Sequence, residues 1–281
     1  MTNVTIGLIQ SAAGESKPEN IQKTIEKIRA AAKKGAKIIC LQELFATRYF
    51  PREQKKDFSM FAESIPNQFS ERFSALADEL KVVLVVPFYE KKGKTEYNSA
   101  LVFDADGKQL DTYRKHHIPH DPLFYEKDYF KESSDEYIVY KTKYATFSVL
   151  ICYDQWFPEA ARVCALNGAE IIFYPTAIGT IKNHEAHEGD WHDAWETIQR
   201  SHAIANSVIV AAVNRVGEEN ELHFWGGSFV CDAFGNVIQR AGDKEEILIV
   251  DVDTSKNKDI RDAWGFMRNR QPETYGRLCK K

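Results

Sequence analysis

The stretch FSVLICYDQWFPEAAR, residues 147–162, carries most of the information about the fold. Its apolar run, Phe147 to Ile151, predicts a buried strand that ends at Cys152. Pro158 then opens a helical pattern, because proline is favoured at the first position of a helix. A cysteine at such a strand-to-helix corner reaches the edge of a sheet, where backbone N–H groups favour its thiolate and can bind an oxyanion. Most cysteines are nevertheless small buried side chains, so the corner alone does not assign a role to Cys152.

Composition argues against several classes of protein. The chain has 281 residues, 43% of them hydrophobic, and a net charge of -4. These values suit a sizeable core and argue against a nucleic-acid-binding surface, which needs a concentrated basic face. No apolar run approaches the length of a membrane span, and no signal peptide is visible. The five cysteines lack metal-binding spacing, so we expect no disulfide framework or structural zinc and a cytoplasmic location.

Hydrophobic periodicity predicts an α/β protein. Strands and helices alternate early in the chain, and strand–turn–strand units dominate later, which predicts mixed sheets with helices on their outer faces. No linker-like stretch or repeat interrupts the chain, so we expect one domain over 1–281, with a core of about 4–252 and a C-terminal extension of about 253–281. The segment from Arg261 onward shows little periodicity. The predicted helices are 18–34, 67–80, 158–167 and 191–206, and the predicted strands include 4–10, 37–41, 82–88, 99–103, 109–113 and 146–151.

Three residues of different reactive types each follow a predicted strand. Glu43 follows the strand 37–41, Lys115 follows 109–113, and Cys152 follows 146–151. The carboxyl ends of strands are where α/β sheets bind ligands. Together a thiol can act as nucleophile, a carboxylate as proton acceptor and an ammonium as the stabiliser of an oxyanion. Spacing alone does not prove convergence, since a lone Glu or Lys after a strand is usually a surface residue.

The motifs around these residues resemble the nitrilase, or carbon–nitrogen hydrolase, superfamily. Glu43 stands in Leu-Gln-Glu-Leu-Phe, Lys115 in Tyr-Arg-Lys-x-His-Ile-Pro and Cys152 in Ile-Cys-Tyr-Asp-Gln-Trp-Phe-Pro-Glu, in the order of the family's catalytic triad. The resemblance implies an α-β-β-α four-layer sandwich and a second glutamate, Glu126, that positions substrate and lysine. It also implies catalysis without a metal or an organic cofactor, and a homodimer or larger homo-oligomer that binds a small amide or ureido substrate.

Further phrases, at 154–162, 173–179 and 202–206, resemble the branch of N-carbamoylputrescine amidases and β-ureidopropionase-like enzymes. This branch implies cysteine-dependent hydrolysis of an N-carbamoyl amine, with N-carbamoylputrescine expected to yield putrescine, CO2 and ammonia. Open alternatives are β-ureidopropionase, ω-amidase or another aliphatic amidase or nitrilase, and a catalytically silent binding module. The substrate-binding residues implied by the resemblance are Tyr49, Asp121, Phe124, Tyr153, Trp156, Ala177, Ile178, Glu185 and Glu188.

Two departures from this branch concern the part of the substrate distal to the reacting carbon. His120 stands where the putrescine enzymes commonly carry an acidic residue, and Ile181 where many carry a glutamate available to a distal amine. Both departures weaken the expectation of a diamine-derived substrate. The following loop nevertheless supplies Glu185, Glu188 and Asp190, and Lys182 is its one basic residue. Neither the segment that contains His120 nor the loop after Ile181 has an arginine, whose guanidinium could bind a carboxylate through two parallel hydrogen bonds. A cationic or neutral tail is therefore expected to be preferred over an anionic one.

A metal site is the alternative interpretation of one histidine-rich loop. Its spacing could fit zinc, but no cysteine lies among the histidines and His-x-x-His is not an i, i+4 pair. We therefore expect a solvated loop near the active site and no bound metal. The residues concerned are His184, Glu185, His187, Glu188, Asp190 and His192.

Overall fold

The computed structural model describes residues 3–183 and 187–280, and the strands of this part form three sheets. None of its helices has the length and hydropathy to cross a bilayer. The helices are α1 (Lys17–Lys33), α2 (Gln68–Leu80), α3 (Pro158–Leu166), α4 (Trp191–Asn206) and α5 (Ser255–Trp264). The strands are β1 (Asn3–Gln10), β2 (Ile38–Leu41), β3 (Val83–Lys92), β4 (Thr95–Phe103), β5 (Tyr113–Arg114), β6 (Tyr140–Lys141), β7 (Thr146–Val149), β8 (Ile171–Pro175), β9 (Gly179–Ile181), β10 (Ile209–Val213), β11 (Val216–Glu219), β12 (Leu222–Trp225), β13 (Phe229–Cys231), β14 (Val237–Arg240) and β15 (Glu246–Asp253).

Two six-stranded sheets carry the architecture. The first has the order β15-β1-β2-β3-β4-β5 and the second β14-β13-β10-β8-β7-β6, while β11, β12 and β9 form a small third sheet. In each large sheet three central strands pair in parallel, namely β1, β2 and β3, and β7, β8 and β10. Parallel neighbours need a crossover connection. The helices α1 and α2 provide it in the first sheet, and α3 and α4 in the second.

Alternate side chains of the central strands point into different layers. In β2, Ile38 and Cys40 join the core that lies between the two large sheets, whereas Ile39 and Leu41 join the cluster formed with α1 and α2. On the other side of the molecule, Trp195 of α4 packs into the same continuous core as the second sheet. The layers follow as helix, sheet, sheet, helix, which confirms the predicted α-β-β-α sandwich.

The periodicity located all four predicted helices to within one residue at either end. The predicted strand 109–113 is wrong over most of its length, because only Tyr113 and Arg114 pair with β4, and Gln109 makes a single bridge to Phe103. The helix α5 was not predicted. Its sequence is polar, and it buries only Asn257, whose amide donates to the carbonyl oxygen of Glu170 at 2.8 Å. The division into a core and a C-terminal extension stays a prediction.

Candidate active site

The chain turns sharply at Cys152, where β7 leads through two further residues into a 3-10 turn over Cys152–Trp156. The backbone of Cys152 has a φ of 43°, a left-handed conformation that is uncommon for a residue with a side chain. Such conformations persist where the surroundings enforce them, often at active sites. The predicted strand–turn–helix corner is therefore present, with Pro158 as the first residue of α3.

A buried carboxylate holds this turn in place. Asp154 accepts a hydrogen bond from the backbone N–H of Ile151 at 2.9 Å and from the hydroxyl of Tyr113 at 2.7 Å. Its other oxygen accepts the backbone N–H of His117 at 3.0 Å and faces the ring nitrogen Nδ1 of the same histidine at 2.7 Å. Asp154 thus ties the cysteine turn to the segment that follows Lys115. Sequence reasoning quoted Asp154 within a motif but assigned it no role.

Lys115 lies between two carboxylates in the interior. Its Nζ is 2.8 Å from Oε1 of Glu43 and 2.7 Å from Oε2 of Glu126, and all three side chains are buried. Burial opposes the charge of the ammonium, but Glu126 and then Glu43 outweigh this effect and raise the pKa of Lys115 above its ordinary value. Lys115 is therefore a cation held inside the protein by two anions.

The second carboxylate of this group titrates in an accessible range. Burial raises the pKa of Glu126 to about 6, with Lys115 opposing the shift and the charge of Glu43 adding to it. The hydroxyl of Tyr49 donates to Oε1 of Glu126 at 2.8 Å and so favours the carboxylate. The structure therefore brings Glu43, Lys115 and Glu126 together as the sequence predicted, with Tyr49 directly behind them.

The two oxygens of Glu43 have different surroundings. Oε1 binds Lys115 and also accepts a hydrogen bond from Nδ2 of Asn98 at 2.7 Å. Oε2 is buried and has no hydrogen-bond partner. Buried acceptors are seldom left unpaired, and an unpaired carboxylate oxygen can take up a proton. Asn98 was missed in the sequence; the available signal was a polar residue at the boundary of the apolar run that forms β4.

The surroundings of Cys152 favour the protonated thiol. The side chain is only 7% exposed, and burial raises its pKa well above the ordinary value. The charge of Glu43 raises the pKa further, while Lys115 and the backbone N–H of Ala177 oppose this. Burial and the neighbouring carboxylate thus outweigh the groups that favour the thiolate. To act as a nucleophile, this thiol would therefore need a base to remove its proton.

A buried arginine fixes the loop that carries Glu43. The guanidinium of Arg215 donates to the carbonyl oxygens of Glu43 and Leu44 at 3.2 and 2.8 Å, and to Oε1 of Glu219 at 2.6 Å. Oε2 of Glu219 in turn accepts the backbone N–H of Tyr49 at 2.6 Å. Sequence reasoning missed Arg215, although a charged residue two positions past the buried strand 208–213 was a usable signal.

Cys152 opens into a cavity of about 750 Å³. Apolar and aromatic side chains form most of its walls. Among the described residues that line it there is no lysine or arginine, and the acidic ones are Asp121, Glu126 and Glu188. The predicted contacts that line the cavity are Asp121, Phe124, Tyr153, Trp156, Ala177, Ile178 and Glu188.

Other predicted residues lie elsewhere. Tyr49 lies behind the cavity wall, bonded to Glu126. Asp190 caps α4 by accepting the backbone N–H groups of His192 and Asp193 at 2.8 and 3.1 Å. Lys182 pairs with Glu218 at the surface and is not among the residues that line the cavity. His184 and Glu185 lie outside the described residues.

The alternative of a metal site finds no support in residues 3–183 and 187–280. Within these ranges no three or more His, Cys, Asp or Glu side chains are grouped so that they could hold a metal ion. His192 instead stacks its ring on Trp225, with the ring centroids 5.3 Å apart.

Comparisons with known proteins identify the family of the chain. Residues 5–262 match the family model of carbon–nitrogen hydrolases. A tomato (Solanum lycopersicum) protein named N-carbamoylputrescine amidase is 42% identical, over 97% of this chain and 93% of its own. A Francisella tularensis protein named citrullinase is 39% identical over the full length of both. The crystal structure of a carbon–nitrogen hydrolase from Helicobacter pylori superposes with a TM-score of 0.95 at 38% identity, covering 99% of each chain. The chain therefore belongs to the carbon–nitrogen hydrolase family and is an amide-hydrolysing enzyme that acts on small molecules.

Proposed function

We propose that this enzyme hydrolyses N-carbamoyl amines and that N-carbamoylputrescine is the preferred substrate of that class. The observation that carries the proposal is the cavity above Cys152, whose described lining includes the carboxylates of Asp121 and Glu188 but no basic residue. Such a cavity favours a cationic tail. Four plant relatives named N-carbamoylputrescine amidase, 40–42% identical to this chain, support the same substrate.

The first half of the proposed reaction forms a thioester. Oε2 of Glu43, which has no other partner, takes the proton of the Cys152 thiol. The sulfur then attacks the ureido carbonyl carbon, and the carbonyl electron pair moves onto its oxygen. Lys115 and the backbone N–H of Tyr153 stabilise that oxyanion. Glu43 returns its proton to the departing nitrogen, so that ammonia leaves as the C–N bond breaks.

The second half consumes a water molecule. Glu43, again a carboxylate, removes a proton from water, and the resulting hydroxide attacks the thioester carbon. The sulfur leaves and recovers the proton from Glu43. The product is an N-carboxy amine, which loses CO2 to give the free amine. Glu126 keeps Lys115 in place throughout, through their 2.7 Å contact, and is proposed to orient the ureido group.

The tail of the substrate would lie along the rest of the cavity. Trp156 and Trp191 line it and offer aromatic faces, which attract alkyl ammonium groups. Asp121 and Glu188 supply negative charge on the same lining. A carboxylate on the tail would meet no described lysine or arginine, because the nearby Lys182 is paired with Glu218. A diamine-derived tail is thus favoured over an amino-acid tail.

We propose that the enzyme works as a homodimer or larger homo-oligomer. Val163 and Leu166 of α3 and Leu278 near the C-terminus are large apolar side chains at the surface, and they line one shared groove with Tyr275. Such exposed apolar patches commonly mark interfaces. A cytoplasmic location is proposed as well, supported by five cysteines that are all free thiols.

Replacing the nucleophile tests the proposed chemistry. Cys152→Ala should abolish ammonia release while leaving the circular dichroism spectrum and Tm unchanged. Cys152→Ser should lose orders of magnitude in kcat, because a hydroxyl is far harder than a thiol for a carboxylate to deprotonate. The matched control is Cys279→Ala, which changes an exposed cysteine and should retain full activity. More than a few per cent of wild-type activity in Cys152→Ala would exclude Cys152 as the nucleophile.

The pH dependence of kcat/KM tests the buried carboxylates. Above about pH 6 Glu126 is ionised and holds Lys115; below it Glu126 gains a proton and Lys115 loses one of its two anionic partners, so activity should fall. An alkyl ammonium tail does not titrate near this pH. Glu126→Gln should lack the acid limb near pH 6, and Glu71→Gln, on the exposed face of α2, should keep it. A flat wild-type profile across this range would contradict the assignment.

Substrate preference tests the cavity. We expect kcat/KM for N-carbamoylputrescine to exceed that for N-carbamoyl-β-alanine by about 10- to 150-fold, since a charge-assisted contact stabilises by about 1.5–3 kcal/mol. The lower end is expected, because the apolar Ile181 lines the cavity. The double variant Asp121→Asn with Glu188→Gln should reduce the ratio, and Glu71→Gln should not. A wild-type ratio at or below one would favour β-ureidopropionase or ω-amidase activity instead.

Light scattering tests the assembly. The wild-type protein should show a mass of two or more 32.2 kDa chains. Leu166→Glu should shift the mass toward one chain, because it places a charge in the apolar groove. A wild-type mass of one chain at micromolar concentration would show that the groove does not join two copies.

A further inference from the structure

Leu123 occupies a turn position that favours glycine. The backbone N–H of Phe124 donates to the carbonyl oxygen of Asp121 at 2.8 Å, which closes a four-residue turn with Pro122 in its second position. Leu123, in the third position, has a φ of 65°. This is the pattern of a type II turn, whose third residue is normally glycine because a side chain at positive φ is strained. The chain therefore bears a backbone cost at Leu123.

The strained backbone of Leu123 places its side chain at the cavity. It lines the catalytic cavity and packs against the buried cluster that contains Tyr49 and Phe224. Ile181, at the end of β9, lines the same cavity and packs against the same cluster. Asp121 belongs to the same turn and also lines the cavity. One strained turn thus presents a carboxylate and an apolar group to the same substrate.

We propose that Leu123 is a specificity-determining residue that, with Ile181, forms an apolar wall for the methylene chain of the substrate. This inference rests on the proposed hydrolysis of N-carbamoyl amines and adds a preference for chain length. Each methylene group that this wall of two aliphatic side chains covers is removed from water, which strengthens substrate binding. Short tails leave the wall in contact with water, and polar tails lose hydrogen bonds beside it. Strained residues are often found at ligand-binding positions, where the strained backbone places a side chain against the ligand.

The experiment separates chain length from charge. N-carbamoyl derivatives of ethylamine, propylamine and butylamine carry no cation, so their kcat/KM values report contact with the methylene groups alone. The wild type should turn over the butyl compound best. Leu123→Ala should lower kcat/KM for the butyl compound by about 10-fold and hardly change that for the ethyl compound. The loss should appear mainly in KM, because this contact is made equally in the ground state and the transition state.

Further variants distinguish the effect of the apolar side chain on substrate preference from the effect of backbone strain on stability. Leu123→Gly should flatten the length dependence as Leu123→Ala does, but with a higher Tm than Leu123→Ala, because it removes the strained β-carbon. Lys81→Gly is the matched control: Lys81 has a φ of 54° at the exposed end of α2, and its replacement should raise Tm without altering any kinetic constant. Ile181→Ala removes the other side chain of the wall and should likewise reduce the dependence of kcat/KM on chain length.

The outcomes are distinguishable. If the wild type hydrolyses the series but Leu123→Ala and Ile181→Ala keep its length dependence, the inference is overturned while the proposed function stands. If the wild type releases ammonia from no N-carbamoyl amine, the proposed function fails and the inference fails with it. A flattened series in the Leu123 variants, with Lys81→Gly unchanged, supports the apolar wall.

Discussion

The contact of one buried ammonium with two buried carboxylates is the constraint on which the site depends. Lys115 could not remain charged in the interior without Glu43 and Glu126, and neither carboxylate would be stable there without Lys115. Removing Lys115 would leave two buried carboxylates without a counter-charge, and removing either carboxylate would take from Lys115 one of its two anionic partners. The surrounding residues serve this arrangement: Asn98 and Tyr49 supply hydrogen bonds to the carboxylates, and Arg215 fixes the loop that carries Glu43.

Burial also determines how the cysteine is activated. Near a helix N-terminus an exposed thiol ionises more readily, whereas burial and the charge of Glu43 raise the pKa of the Cys152 thiol. In the proposed mechanism proton removal is therefore part of the chemical step, and the acceptor is the oxygen of Glu43 that has no partner. A substrate that fills the cavity would exclude water from these groups and strengthen their interactions.

Hydrophobic periodicity, a local property, predicted mixed sheets with helices on their outer faces. The resemblance carried by short motifs implied the four-layer order and the grouping of Glu43, Lys115, Glu126 and Cys152. The corner at Cys152 and helices α1 to α4 followed from residues close together in the chain. What the sequence could not predict depends on contacts between distant segments. Arg215 and Asn98 became recognisable only when the strands were assembled, and the raised pKa of Cys152 reflects burial that spacing does not reveal. The helix α5 was missed because its surface is almost wholly polar.

The position of Arg215 links the geometry around Glu43 to the order of folding. Arg215 follows β10 of the second sheet, while the carbonyl oxygens that it binds follow β2 of the first sheet, 172 and 171 residues earlier in the chain. Contacts between such distant segments form late, because a long loop must close before they can be made. A partly folded molecule in which the two sheets have not docked thus lacks the hydrogen bonds that fix the loop carrying Glu43. The arrangement of Glu43 beside Lys115 is then a property of the docked sandwich and not of either sheet alone.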